Sequence, residues 1–144
     1  AADYPDIETD EVIVDALCMR LVRWPMQFDV LLTGNLFGDI VSDLCSGLAG
    51  GLTAANTITL CDGVTLFENP HGKAPELVGR DLANPIPMVL TGVDLLRDLG
   101  ENDAAERIYE AVVGTTAASI LTGDQGGEAR CSEVRDAIIA RLSS

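Results

Sequence analysis

Asp39 and Asp43 stand four residues apart in a stretch whose apolar spacing reads as a helix. That spacing puts both carboxylates on one helix face, about 5–6 Å apart at Cβ. Like charges so placed repel by about 0.2–0.5 kcal/mol unless something positive sits between them. A hard divalent cation such as Mg²⁺ takes carboxylate oxygens, so a metal is a natural partner for the pair. From spacing alone a second reading stays open, in which one Asp caps the helix and the other is solvated. Asp15 lies at the margin of an apolar helical stripe. Its i±3 and i±4 neighbours are Val12, Cys18 and Met19, with Glu11 as the fourth. A carboxylate there needs a partner or a raised pKa. Both are properties of a metal ligand or a general base; a surface acid on the polar flank is the alternative. A third candidate is the loop His71-Gly72-Lys73-Ala74-Pro75-Glu76, where Gly72 and Ala74 let backbone come close to a ligand. For a lone loop histidine, a hydrogen-bonded structural role is the alternative.

The elements that must position these residues alternate helix and strand signals. Val14, Leu17, Cys18, Leu21 and Val22 predict a helix within residues 10–23, stopped by Pro25. Phe28 to Thr33 reads as a largely buried strand, broken by Gly34 and Asn35. A second helix is expected over Asp39 to Ala49, ended by Gly50 and Gly51. Residues 53–63 read as irregular, and Val64 to Glu68 as a second strand. Asn69 to Pro75 is a loop by every turn signal. Further helices are expected over Met88 to Leu99, over 103–121 and over Glu133 to Leu142, the last capped by Ser132. Gly123 to Gly127 reads as a turn. The class is α/β with few strands. Two or three strands cannot build an independent parallel sheet covered on both faces, so pairing with other segments or a piece of a larger fold is expected.

The chain has 144 residues, 23 acidic and 9 Lys/Arg side chains, and a formal net charge of −14. Clustered Lys/Arg are absent, which argues against nucleic acid and against anionic lipid as partners. A hydrophobic fraction of 47% is too high for intrinsic disorder. No apolar run reaches the roughly 18 residues of a membrane span. The cysteines at 18, 45, 61 and 131 form no Cys-x-x-Cys and His71 is the single histidine, so a zinc site is not expected. They read as reduced core residues of an intracellular protein. The N-terminus shows no signal or transit peptide and no initiating Met. Gly47, Gly50 and Gly51 do not form Gly-x-Gly-x-x-Gly after a strand, so neither a Rossmann fingerprint nor a P-loop is present.

Several ordered segments together resemble one family. Asn35-Leu-Phe-Gly-Asp-Ile-Val-Ser-Asp43, followed by Leu44 to Gly51, is similar to the hallmark segment of the β-decarboxylating dehydrogenases of isocitrate, isopropylmalate, homoisocitrate and tartrate. Phe67-Glu68, His71 to Pro75 and Ala83-Asn84-Pro85 resemble that family's adenine-nucleotide loop. Leu96 to Gly100 and Asp124 to Gly127 match downstream segments in order. Val14-Asp15, Gln27 to Val30 and Ser42 to Cys45 are most similar to the NAD-dependent isocitrate dehydrogenases. The resemblance implies an isopropylmalate/isocitrate dehydrogenase-like two-domain fold with its N-terminal portion missing. Residues 1–52 would belong to the smaller dimerisation domain, and 53–144 to the C-terminal part of the larger cofactor-binding domain. It implies Asp39 and Asp43 as Mg²⁺ or Mn²⁺ ligands, and Asp15 as a carboxylate given to the neighbouring subunit's site, as ligand or catalytic base. His71, Gly72, Ala74 and Asn84 would surround the adenosine. The implied partners are a small hydroxy-acid substrate and a second copy or sister subunit, in the cytoplasm or alternatively the mitochondrial matrix. The implied chemistry is oxidation of a 2-hydroxy acid and loss of CO₂ from the β-keto acid.

Charge argues for the cofactor. Glu76 can accept hydrogen bonds from ribose hydroxyls and would repel a 2′-phosphate, which favours Lys or Arg. No basic or tyrosine residue occurs in Gly123 to Gly127, so NAD is expected over NADP. The resemblance also has departures. Thr53 to Asn56 replaces a stretch that usually holds Gly and Pro. Lys73 stands where Ser or Thr is usual, Glu76 is one methylene longer than the usual Asp, and Pro87 replaces a small residue. The family's substrate-clamping arginines and catalytic Tyr and Lys lie upstream of Ala1, so the chain alone is expected to be inactive. A non-catalytic regulatory subunit is the alternative that these departures leave open.

Overall fold

A computed structural model describes residues 4–51 and 55–143. The expected boundary at 52 and 53, and with it Thr53 and Ala54, lies outside the described residues. The chain divides into two compact units, Ala1–Leu48 and Ala49–Ser144.

In the first unit, α1 (Val14–Arg23) and most of α2 (Asn35–Ala49) share one small core. Asp15 in the first turn of α1 and Arg20 and Arg23 in its last turn complement the helix dipole. Pro25 forbids continuation and opens a short 3-10 turn, Pro25–Gln27. Leu17 and Leu21 bury against Val41, with Val12, Cys18, Phe28, Leu44 and Cys45 packed around them. A β-carbon on Gly38 would lie 2.8 Å from Oγ1 of the exposed Thr33, so a larger residue there makes that side chain turn away.

The strand expected over Phe28 to Thr33 does not form: these residues join no sheet. No other described segment pairs with them, and a strand without a ladder leaves its N–H and C=O groups to water. Leu32 is accordingly 97% exposed.

The second unit opens with an antiparallel hairpin of β1 (Thr57–Cys61) and β2 (Val64–Glu68). The register pairs Thr57 with Glu68 and Cys61 with Val64, across the two-residue turn Asp62-Gly63, with Gly63 at φ 74°. Residues 57–61 were expected to be irregular. Their Thr-Ile-Thr-Leu run and the following Asp-Gly carry the hairpin signal. Cys61 ends β1 exposed, not in a core.

β2 packs on α3 (Ile86–Asp98), α3 on α4 (Asn102–Ala117), and α4 on α5 (Cys131–Leu142). Their core holds Ile86, Ala111, Val112, Val134 and Ile138. α3 ends in a Schellman motif: the Gly100 N–H donates to the Arg97 carbonyl and the Glu101 N–H to the Leu96 carbonyl, with Gly100 at φ 80°. The turn after α4 is equally constrained, since a β-carbon on Gly127 would lie 2.0 Å from the Leu121 carbonyl oxygen.

Ser132 does not cap α5 with its own side chain. The cap comes from 51 residues away, where the Asp81 carboxylate accepts from the Ser132 N–H at 2.9 Å and from the Ser132 hydroxyl at 2.5 Å. The Cys131 N–H donates to the Asp81 carbonyl. Asp81 is in the left-handed region at φ 57°, a cost this network offsets. The Ser132 hydroxyl, then its N–H, hold the Asp81 carboxyl below the usual aspartate range, and the Arg130 and Arg135 charges add to this against partial desolvation. A depressed folded-state pKa contributes stability above the unfolded value, and that stability is lost as pH falls below it. Asp81→Asn should therefore lower the melting temperature at pH 7. Relative to wild type, the loss should shrink as pH drops below ~4. A deficit that stays constant across that range would contradict the account.

Candidate active-site residues

Asp39 and Asp43 lie on the exposed face of α2, one turn apart. Each points about 160° around the helix away from the buried Val41, two residues distant at 100° per residue. Neither forms an ion pair among the described residues. α2 has no basic residue in its last turn and no acid before Asp39. Asp15 is likewise exposed, about 160° around α1 from the buried Leu17. Its carboxylate accepts the Ala16 N–H at 2.6 Å. α1 and α2 thus turn their apolar faces toward each other and their acids outward. Among the described residues no three His, Cys, Asp or Glu side chains gather closely enough to hold a metal. Within one chain the structure brings Asp39 and Asp43 to a common face and does not bring Asp15 to them. The donor set still fits a hard divalent cation: two unpaired carboxylates on successive turns supply oxygens, and the remaining ligands of a six-coordinate ion come from elsewhere.

In the second unit, the loop after β2 carries the other candidates. The His71 ring Nδ1 lies 3.0 Å from the Gly72 carbonyl oxygen. With the proton on Nδ1, Nε2 is left as an acceptor. Ala74 adopts φ 40°, left-handed for a residue with a β-carbon, and starts the 3-10 turn Pro75–Leu77 that carries the exposed Glu76. The Arg80 guanidinium reaches the Glu76 carbonyl at 3.5 Å. Asn84 is half-buried and fixed: its Oδ1 accepts the Ile86 N–H at 3.0 Å at the start of α3, and its Nδ2 donates to Asp124 at 3.0 Å. Asp124 in turn accepts the hydroxyl of the buried Thr122. An amide offers two N–H donors and two lone pairs, so Asn84 keeps one of each for a ligand.

A second polar cluster was not foreseen from the sequence. Asn69 Nδ2 donates to Thr91 Oγ1 at 2.9 Å and to Asn56 Oδ1 at 3.3 Å, while Asn56 Nδ2 donates to Asp94 at 2.9 Å. Asn69 Oδ1 is buried with no hydrogen-bond partner among the described residues. The cluster ties the hairpin to α3 just before His71. The missed signal was the hairpin itself: once Thr57 faces Glu68, Asn56 and Asn69 fall on the next rung.

The sequence profile described as Isocitrate/isopropylmalate dehydrogenase matches residues 1–138. The chain is 44% identical over 144 residues to 3-isopropylmalate dehydrogenase of Streptococcus pneumoniae, covering 99% of this chain and 42% of that protein. It is 45% identical over 144 residues to the mitochondrial "Isocitrate dehydrogenase [NAD] catalytic subunit 5" of Arabidopsis thaliana, covering 99% of this chain and 38% of that protein. The crystal structure of isocitrate dehydrogenase from Methylococcus capsulatus superimposes with a TM-score of 0.93 at 40% identity, over 99% of this chain and 43% of that one. The chain thus spans about two-fifths of the length of these relatives. Its α/β architecture is that part of their fold, and the chain belongs to the isocitrate/isopropylmalate dehydrogenase family of decarboxylating oxidoreductases.

Proposed function

We propose that the protein carrying this chain converts isocitrate and NAD⁺ to 2-oxoglutarate, CO₂ and NADH with Mg²⁺ or Mn²⁺, and that this chain is inactive by itself. The observation that carries the reading is the pair of unpaired carboxylates, Asp39 and Asp43, one turn apart on the exposed face of α2. In this reading they hold the divalent cation. When bound, that ion withdraws electron density from the substrate hydroxyl oxygen and its carboxylate, and so eases proton loss. Asp15 of a second copy completes the ligand set or takes the hydroxyl proton. A second copy also suits the exposed Leu36, Phe37 and Ile40, which flank Asp39 on α2. Residues 1–52 are read as part of the dimerisation domain and 53–144 as part of the cofactor domain.

On the nucleotide, His71, Gly72, Ala74 and Asn84 surround the adenosine, and Glu76 accepts from the ribose hydroxyls. Relatives named for isopropylmalate and for isocitrate match this chain equally well, so 3-isopropylmalate or a related malate derivative is the second reading of the substrate. An intact set of Asp15, Asp39 and Asp43 counts against a non-catalytic regulatory subunit, which has no need to keep all three carboxylates. No helix among the described residues is long and apolar enough to cross a membrane. The cytoplasm is the proposed location, with the mitochondrial matrix as the alternative that the Arabidopsis relative suggests.

Titrating Mn²⁺ into the full-length protein should show at least about tenfold weaker binding for Asp39→Asn than for wild type; equal affinity would remove the metal role. In the same protein, turnover with NAD should exceed turnover with NADP. A preference for NADP would discard the argument from Glu76.

A further inference from the structure

Lys73 is the single lysine in a chain with 23 acidic residues, yet it forms no ion pair among the described residues. It is exposed, and it lies between Gly72, whose β-carbon position is open, and the left-handed Ala74. Asp81, also left-handed, is held by bonds to Ser132, but no side chain caps the turn that starts at Ala74. The turn that starts at Ala74 is closed by the Leu77 N–H donating to the Ala74 carbonyl, so its shape is set by backbone while the neighbouring ammonium is left exposed and without an ion pair among the described residues. Glu76 stands three residues on, across that turn, and Arg80 is drawn toward the Glu76 carbonyl. Residues 71–80 therefore carry two cations and one anion, against a chain of net charge −14.

We propose that Lys73 is a cofactor-specificity residue that binds a phosphate on the adenosine ribose and so weakens the discrimination against NADP that Glu76 imposes. The proposal rests on reading this loop as the adenosine site. One turn then presents an acceptor for ribose hydroxyls and a donor for a ribose phosphate. A compact ammonium serves as a point charge for phosphate and makes no demand on geometry, which suits an exposed turn. The protein prefers NAD but retains measurable affinity for NADP, and that residual affinity comes from Lys73.

The test uses the full-length protein and the ratio of its dissociation constants for NADP and NAD. Lys73→Ser should raise that ratio about fivefold or more, and Lys73→Arg should keep it near wild type. Increasing salt should raise the wild-type ratio and leave that of Lys73→Ser flatter. An unchanged ratio overturns the proposal, whether both affinities hold or both fall together; an equal fall would place Lys73 on the diphosphate common to the two cofactors. Wild-type protein that binds neither dinucleotide would remove the adenosine-site reading and Lys73 with it. Binding of both with a ratio that ignores Lys73→Ser would remove Lys73 alone.

Discussion

Two negative charges one helical turn apart, with no ion-pair partner among the described residues, set the terms for the first unit. α2 could relieve the repulsion between Asp39 and Asp43 with a lysine or arginine one turn away, and has none. The helix keeps its fold because its opposite face, through Val41, Leu44 and Cys45, is anchored on Leu17 and Leu21 of α1. That anchoring also fixes where the acids point. Packing through the faces that bear Leu17 and Val41 turns Asp15 away from Asp39 and Asp43 in the same chain. A site that used all three carboxylates could therefore not form within one chain, and α2 also leaves Leu36, Phe37 and Ile40 exposed beside Asp39.

The second unit meets a different demand, which is to hold a long irregular loop in place without burying it. It does so with polar tethers at chosen points. Asn69 is tied to Thr91 and Asn56, Asp81 to Ser132, and Asn84 to Ile86 and Asp124. Between the first two tethers the stretch from His71 to Arg80 keeps its charged side chains exposed. A loop fixed at its ends and open in its middle loses little further freedom on binding a ligand, which favours affinity.

The helices were largely legible in the sequence because their apolar residues recur at helical spacing and their ends carry Pro25, Gly50 and Gly100. The strands were not. Phe28 to Thr33 has strand composition, yet strand formation depends on a partner that no local pattern encodes. β1 was missed for the converse reason: its Thr-rich run looked irregular until the Asp62-Gly63 turn paired it with β2. The acids and the His71 loop could be picked out as chemistry-bearing from residue type and spacing. What spacing could not supply was the long-range polar wiring. Asp81 capping a helix that starts 50 residues later in sequence, and the Asn56–Asn69 rung, are contacts between segments that only the fold brings together.

Subunit complementation tests the shared-site account most directly. Full-length Asp15→Asn and Asp39→Asn proteins, each inactive alone, are mixed in equal amounts and allowed to exchange subunits. If Asp15 serves the neighbouring copy, each mixed dimer regains one whole site, and the mixture should recover about a quarter of wild-type activity. A mixture that exchanges subunits yet stays inactive would contradict the account.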